Sequence, residues 1–479
     1  MNSNVMATSP RTLPGMKTLD KVRKLPKSAD FWGPRFLVVS VILWATGFAL
    51  GFLSALTFMV ILCWACLILG ARQPALSLIG ISMLCALDAP LRVFLLTGGL
   101  LRWNTLNYWL LLVMAGSILF LLRLRDIQSR IFQAFIILLG IECLATPDPM
   151  VGFQHVLNIM TIFGIIWYFA RASSDPLGLY WVALIVSTTT ALGSVLFYMQ
   201  RLNLPHINPN AWAYFPATGV FAICLGFPSA VREKKGLMAL AALAVANLVF
   251  VFLSGSRGDL LVTLVCMLFL LAKIPGLSRR AFLVGVAFIM AVTLSTQFTD
   301  LQDNSLHRID KLFGSNDYSL TQRTSGRSDL ALAAWYIFLD HPLGVGTGGF
   351  EDAWINLGYH EDISDYRRGQ AAAAHSAWMK TIAENGFLGI TLLICIVLSF
   401  PLMGIHKGRG ELLSLGLLVA ISLSMAFLST EFQSKGLWFL TAGVLSIFHG
   451  EEYRQHLAGW IPPGSLLKAN RVKAANHVR

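Results

Sequence analysis

Apolar stretches long enough to cross a bilayer recur along almost the whole of this 479-residue chain, and they limit what it can fold into. They lie near 35–50, 53–71, 75–93, 105–122, 129–146, 152–170, 178–198, 210–229, 236–253, 258–273 and 280–298. After a polar break they resume at 378–400, 411–429 and 434–449. A water-soluble chain has no use for 56% hydrophobic against 13% charged residues, because a solvated surface takes far more charge. The mean hydropathy of +0.65 points the same way. The expected fold is an all-α polytopic membrane protein, a bundle of about fourteen transmembrane helices.

A net charge of +12 would suggest nucleic acid as the partner of a soluble protein, but the distribution of charge argues for a membrane instead. Residues 1–33 carry Arg11, Lys17, Lys21, Arg23, Lys24 and Lys27 against Asp20 and Asp30, and residues 450–479 carry Arg454, Lys468, Arg471, Lys473 and Arg479. Both tails read as cytoplasmic, because basic residues stay on the inner side. About thirty polar residues precede the first apolar stretch, an n-region too long for a cleaved signal peptide. Counting outward from an inner N-terminus, the turns expected inside hold Arg72, Arg123 with Arg125 and Arg130, Arg171, Arg232 with Lys234 and Lys235, Lys273 with Arg279 and Arg280, and Lys407 with Arg409. That regularity divides the chain into transmembrane helices 1–11 over 34–298, an extracytoplasmic loop over 299–377 and helices 12–14 over 378–449.

The loop holds eleven acidic residues, from Asp300 to Asp365, against six basic ones: Arg308, Lys311, Arg323, Arg327, Arg367 and Arg368. A connection this long is usually functional or has secondary structure of its own. Within it "SDLALAAWYIFLDHP" spaces Leu330, Ala333, Ala334 and Ile337 as one helical face, which predicts a helix ending before Pro342.

Three basic features run against the charge bias of the outer side. "LSGSRGDL" puts Arg257 at an outer turn, "RTSGRSDL" puts Arg323 and Arg327 early in the loop, and "AHSAW" puts His375 at its end. Charge at a membrane boundary tends to be functional, although Arg257 could also snorkel or pair with Asp259 and His375 could simply start a helix. A guanidinium stays charged and offers paired donors that suit phosphate oxygens. An imidazole titrates near neutrality and can take a proton from a hydroxyl. Together they describe displacement of a diphosphate leaving group by an alcohol, with a lipid diphosphate as the donor a membrane protein would meet.

At these residues the chain resembles the O-antigen ligase and polymerase superfamily. The resemblance rests on His375-Ser376 followed by "GFLG" at 386–389, on "GSRGDL" and "SGRSDL" upstream in the same order, and on "HPLGVGTGGF" between them. A weaker likeness covers "NPNAWAYF", with Asn210. The resemblance implies a GT-C-like glycosyltransferase at the outer face of the bacterial inner membrane. Such an enzyme moves an undecaprenyl-diphosphate-linked glycan onto a saccharide acceptor, either lipid A core or a second lipid-linked repeat. It also implies that Arg257 and Arg327 hold the diphosphate and that His375 activates the acceptor hydroxyl. Arg323, Asn210, Ser376, Glu384, Gly346 and Gly348 are the supporting candidates.

Other motifs carry less. "GVGTGG" satisfies the dinucleotide fingerprint through Gly344, Gly346 and Gly349, but no strand precedes it. A tight loop bringing backbone close to the glycan or the membrane plane fits better. "EDISD", Glu361 to Asp365, offers oxygen ligands, yet solvated loop carboxylates explain it and an arginine clamp makes a metal unnecessary for the leaving group. No cofactor is called for. "CWAC", Cys63 to Cys66, has redox spacing but lies inside a span, where helix packing explains it. The competing function is a transporter or flippase for lipid-linked glycans, for which interrupted helices would be the usual mark.

Overall fold

The computed structural model describes residues 28–69, 74–97, 127–160 without 154 and 158, 176–201, 209–233 and 236–272 without 255. It further describes residues 327–359, 374, 376–406 and 418–426 without 424. Among these residues all regular structure is helical. The helices are α1 (Ser28–Leu50), α2 (Phe52–Leu69), α3 (Pro74–Thr97), α4 (Ile127–Glu142), α5 (Pro176–Arg201) and α6 (Pro209–Glu233). They continue as α7 (Leu237–Leu253), α8 (Arg257–Ala272), α9 (Arg327–Asp340), α10 (Phe350–Asn356) and α11 (Ala377–His406).

The apolar runs of the sequence reappear as helices wherever they are described. Three are long and apolar enough to cross a membrane, Phe31–Leu50, Gly178–Met199 and Ala377–Ser399, and shorter apolar helices include Ser54–Cys66, Trp212–Phe227 and Leu237–Leu253. Runs of this kind become helices because lipid offers the backbone no hydrogen-bonding partner but itself. The chain is therefore an all-α membrane protein. Residues 1–27 of the N-terminal tail, the C-terminal tail, the expected spans near 105–122, 280–298 and 434–449, and residues 299–326, 360–373 and 375 of the loop lie outside the described residues.

At the centre lie α5 and α6. The first packs against α1, α2, α3 and α7, the second against α3, α7 and α8, and the two pack most extensively against each other. Small residues permit this approach: a Cβ on Gly226 would sit 2.3 Å from Cβ of Ala183, and one on Gly219 would sit 2.1 Å from Oγ1 of Thr190. Between helices in lipid, such close packing and polar contacts replace the hydrophobic drive. The polar contact here is Asn247 of α7, fully buried. Its Oδ1 accepts from the Thr190 hydroxyl at 2.7 Å, and its Nδ2 donates to the Ser187 carbonyl at 3.0 Å and to the Leu243 carbonyl at 2.9 Å.

A second group joins α4, α9, α10 and α11, with α11 packed against each of the other three. The helix foreseen in "SDLALAAWYIFLDHP" is α9, and its four spaced residues Leu330, Ala333, Ala334 and Ile337 are all fully buried. Burying a Leu or Ile side chain in this way contributes about 1.5–3 kcal/mol. All seven cysteines are free.

Candidate active site

The local sequence around Arg257 is a helix start. Ser256 precedes α8, and its Oγ accepts from the Asp259 amide at 3.4 Å while donating to Asp259 Oδ2 at 2.7 Å. Ser256 thus caps the helix through its side chain, while its own amide donates to Ser254 Oγ at 3.2 Å. Thr263 adds a bond from its hydroxyl to the Asp259 carbonyl at 2.7 Å. Arg257 is thus the first residue of α8, where unpaired backbone N–H groups and the helix dipole already favour an anion. "SGRSD" folds likewise: Arg327 opens α9, and Asp329 follows two positions on, buried. Arg327 lies within electrostatic range of the Asp259 carboxylate, although the two helix starts are 70 positions apart in the sequence.

At the other end of the site, α11 begins at Ala377 just after Ser376. The Ser376 hydroxyl accepts from the Met379 amide at 3.4 Å, as a helix cap does, and donates to the Met425 carbonyl at 3.4 Å. Ala374 is buried in the same cluster as Leu330, Ala333, Ala334 and Ile337 of α9 and Ala383 of α11. Since the chain leaving α9 docks near residue 386, α9 runs back along the first turns of α11. Leu330, one turn into the helix that Arg327 opens, thus shares a buried cluster with Ala374.

The docking itself is unusual. α11 is interrupted at Gly386, whose backbone has φ 57° and ψ −152°. Into the interruption fits the loop 341–349. The Val345 amide donates to the Ala383 carbonyl at 3.1 Å, the Gly346 amide to the Glu384 carbonyl at 2.9 Å, and the Phe387 amide to the Pro342 carbonyl at 3.0 Å. The glycine loop does bring backbone into close approach, but its described partner is the chain's own broken helix. Gly346 and Gly348, both at positive φ, lie instead against Thr146 and Glu142, and against Val151 and Gly152.

Polar side chains surround this joint, Thr347, Glu384 and Asn385 buried and Glu142, His155 and Lys380 half-buried. Glu384 Oε1 accepts from the Phe350 amide, the first of α10, at 3.2 Å and lies 3.4 Å from Lys380 Nζ. Lys380 Nζ is also 3.2 Å from His155 Nε2. On the opposite side Asn385 donates to Glu142 at the end of α4, and at 2.9 Å to Thr347 Oγ1, which in turn donates to Glu142 Oε2 at 3.3 Å. A narrow cleft bordered by Phe135, His155, Thr347, Lys380, Thr381 and Glu384 opens beside them. Farther out, Tyr359 donates to Asp340 Oδ2 at 2.6 Å. Burial first, then that carboxylate, pushes its phenol up to about 12.

Of the residues singled out in the sequence, Arg257 and Arg327 open α8 and α9, with the Arg327 charge within electrostatic range of Asp259 of α8, and Ser376 stands at the start of α11. Glu384, Gly346 and Gly348 gather at the joint below. Asn210 is in the first turn of α6, in the other helix group. His375 and Arg323 lie outside the described residues. Sequence reasoning missed Glu142, Thr347, Lys380 and Asn385. One signal was present: Asn385-Gly386 is a turn-forming pair inside what reads as an uninterrupted span. A second was the repeated Arg-x-Asp of "SRGD" and "GRSD".

Compared with known families, residues 242–394 match the model described as O-antigen ligase. The match runs from within α7 into α11 and takes in both arginine motifs, the glycine loop and His375. The chain has no match among curated proteins.

Proposed function

The chain carries an O-antigen ligase family domain over residues 242–394, and from that premise we propose that it is a glycosyltransferase acting on a lipid-diphosphate donor at the outer face of the bacterial inner membrane. The donor is an undecaprenyl-diphosphate-linked glycan and the acceptor a saccharide, either lipid A core or a second lipid-linked repeat. The observation that carries the reading is that two helices within the matched domain each open on an arginine followed two positions later by a buried aspartate, with the Arg327 charge within electrostatic range of Asp259.

In this mechanism Arg257 and Arg327 neutralise the diphosphate, assisted by the N-terminal ends of α8 and α9. His375 takes the proton of the acceptor hydroxyl as its oxygen attacks the anomeric carbon. The bond from that carbon to the phosphate oxygen breaks, and the electron pair leaves on the lipid diphosphate, where the two cations stabilise it. Preorganised charge at a departing group is commonly the largest catalytic contribution.

The interrupted helix α11 bears on the transporter alternative. In transporters the unwound backbone of a broken helix faces the substrate or ion. Here the carbonyls of Ala383 and Glu384 accept from Val345 and Gly346, so the break holds protein to protein. The deciding experiment is incubation of purified protein in vesicles with lipid-linked donor and each acceptor in turn. Coupled glycan with lipid A core identifies a ligase, and coupled repeats identify a polymerase. Movement of the donor between leaflets with no coupling overturns the reading.

A further inference from the structure

The joint between the loop 341–349 and the break in α11 is built more heavily than a crossing of two segments requires. Three backbone hydrogen bonds close it. Two carboxylates then grip it from opposite sides, the buried Glu384 through the Phe350 amide and the half-buried Glu142 through Thr347 and Asn385. A carboxylate removed from water is costly unless its oxygens are paired, and both are paired here, Glu384 with the Phe350 amide and Lys380 and Glu142 with Thr347 and Asn385. The partners of Glu142 lie 205 and 243 positions away, and those of Glu384 include an amide 34 positions away. Each therefore ties together segments that the chain alone leaves independent.

What the joint controls is the far end of α9. The helix is fixed at its C-terminal end by this loop and along its length by the cluster that includes Ala374 and Ala383. Of these attachments the joint is the one at the end of α9 opposite Arg327.

We infer that Glu142 and Glu384 are positioning residues for the transfer reaction: they lock the glycine loop into the break of α11 and so hold in place α9, the helix that opens on Arg327. This rests on the transferase reading given above. Neither carboxylate touches substrate in this account, and neither carries a proton in the reaction; each acts only as a hydrogen-bond acceptor. That distinguishes it from a chemical role, because glutamine keeps the acceptor oxygen and loses the ability to titrate.

The test measures turnover and amide hydrogen exchange together on the full-length protein in nanodiscs. Glu142→Ala and Glu384→Ala are expected to lower kcat about a hundredfold, the effect of a displacement near 1 Å. They are also expected to speed exchange at Val345, Gly346, Phe350 and Phe387 while exchange in α5 stays unchanged. Glu142→Gln is expected to recover most of the turnover and the slow exchange. Glu384→Gln alone leaves Lys380 without its carboxylate, so the conservative variant there is Glu384→Gln with Lys380→Met, which removes both charges and keeps the bond to Phe350. Glutamine variants as inactive as the alanine ones, with slow exchange retained, would make the carboxylates chemical participants and overturn the inference. So would alanine variants whose loop exchanges fast while turnover stays at the wild-type rate. If an alanine variant does not fold, the glutamine variants decide between these outcomes. If the wild-type protein couples no glycan, the transferase reading falls, and the exchange data still report whether the two carboxylates hold the loop.

Discussion

Gly344 and Gly386 face each other across the break in α11 so closely that neither position has room for a side chain. A Cβ on Gly344 would come within 2.2 Å of the Glu384 carbonyl oxygen, and one on Gly386 within 2.2 Å of the Pro342 carbonyl oxygen. Both residues have positive φ, 89° and 57°. Backbone meets backbone here, and neither partner can swing aside.

Gly344→Ala and Gly386→Ala are therefore expected to destabilise the protein by more than the roughly 1–3 kcal/mol that an unfavourable backbone region alone costs. Gly140→Ala is the control. Nothing lies within 4 Å of a Cβ placed there, inside α4, so alanine should be neutral or add about 0.5–1 kcal/mol. Thermal unfolding of the detergent-purified variants checks the order: Gly140→Ala at or above wild type, the other two well below. A Gly386→Ala variant with a wild-type midpoint would mean that the loop does not occupy the break.

Asn247 holds α7 to α5 through Thr190 and the Ser187 carbonyl. Asn247→Ala removes both interhelical bonds, and each polar contact between membrane helices is worth about 0.6 kcal/mol and at most about 1.7. A loss of about 1–3 kcal/mol on that basis is expected in unfolding experiments, with Thr190→Val costing less because Asn247 keeps its other partners. Equal losses for the two variants would show that Asn247 is not the hub of the contact.

Arg257→Ala and Arg327→Ala are expected each to cost about 2.7–4 kcal/mol in transition-state stabilisation. His375→Ala should cost about 10²–10⁴-fold in rate. Lysine at either arginine position keeps the charge and loses the planar pair of donors, so recovery should be partial. The vesicle coupling assay measures all of these, with elution volume and unfolding midpoint held at wild type as the check on folding. Full coupling by any alanine variant removes that residue from the proposed site.

Tyr359 offers a prediction in pH. Its phenol is pushed up to about 12 in the folded protein, first by burial and then by Asp340, against about 10 in the unfolded chain. The folded state thus binds this proton more tightly. The stabilisation is fully present below pH of about 10 and is lost as pH rises through about 12. The stability difference between wild type and Tyr359→Phe should be constant from about pH 7 to 9 and shrink above about 10. A difference that grows with pH would reverse the sign and show that the bond to Asp340 is absent.

How much of this was legible beforehand depends on the range over which each feature is decided. The described membrane helices, and the buried face of α9 from Leu330 to Ile337, could be read directly, because hydropathy and helical spacing are properties of neighbouring residues. The arginine motifs could be picked out because a cation at an outer boundary is anomalous wherever the helices lie. Their shared form, an arginine opening a helix with a buried aspartate two positions later, was also on the page and became meaningful only once both helix starts were seen.

The joint was decided by tertiary structure alone. Within the segment 378–400, hydropathy favours one continuous helix, and Asn385-Gly386 is a weak contrary signal in a strongly apolar run. The break is stable because Val345 and Gly346, from a loop some forty positions earlier, supply amides to carbonyls that the interrupted helix leaves without partners of its own. Glu142 could not have been assigned from its own surroundings either, since its partners Thr347 and Asn385 are brought to it only when α4 packs against α11. Local sequence determined which segments are helices and where the unusual charges sit. Which polar groups meet was left to packing, because hydrogen-bond pairing between distant segments depends on distances that no local pattern encodes.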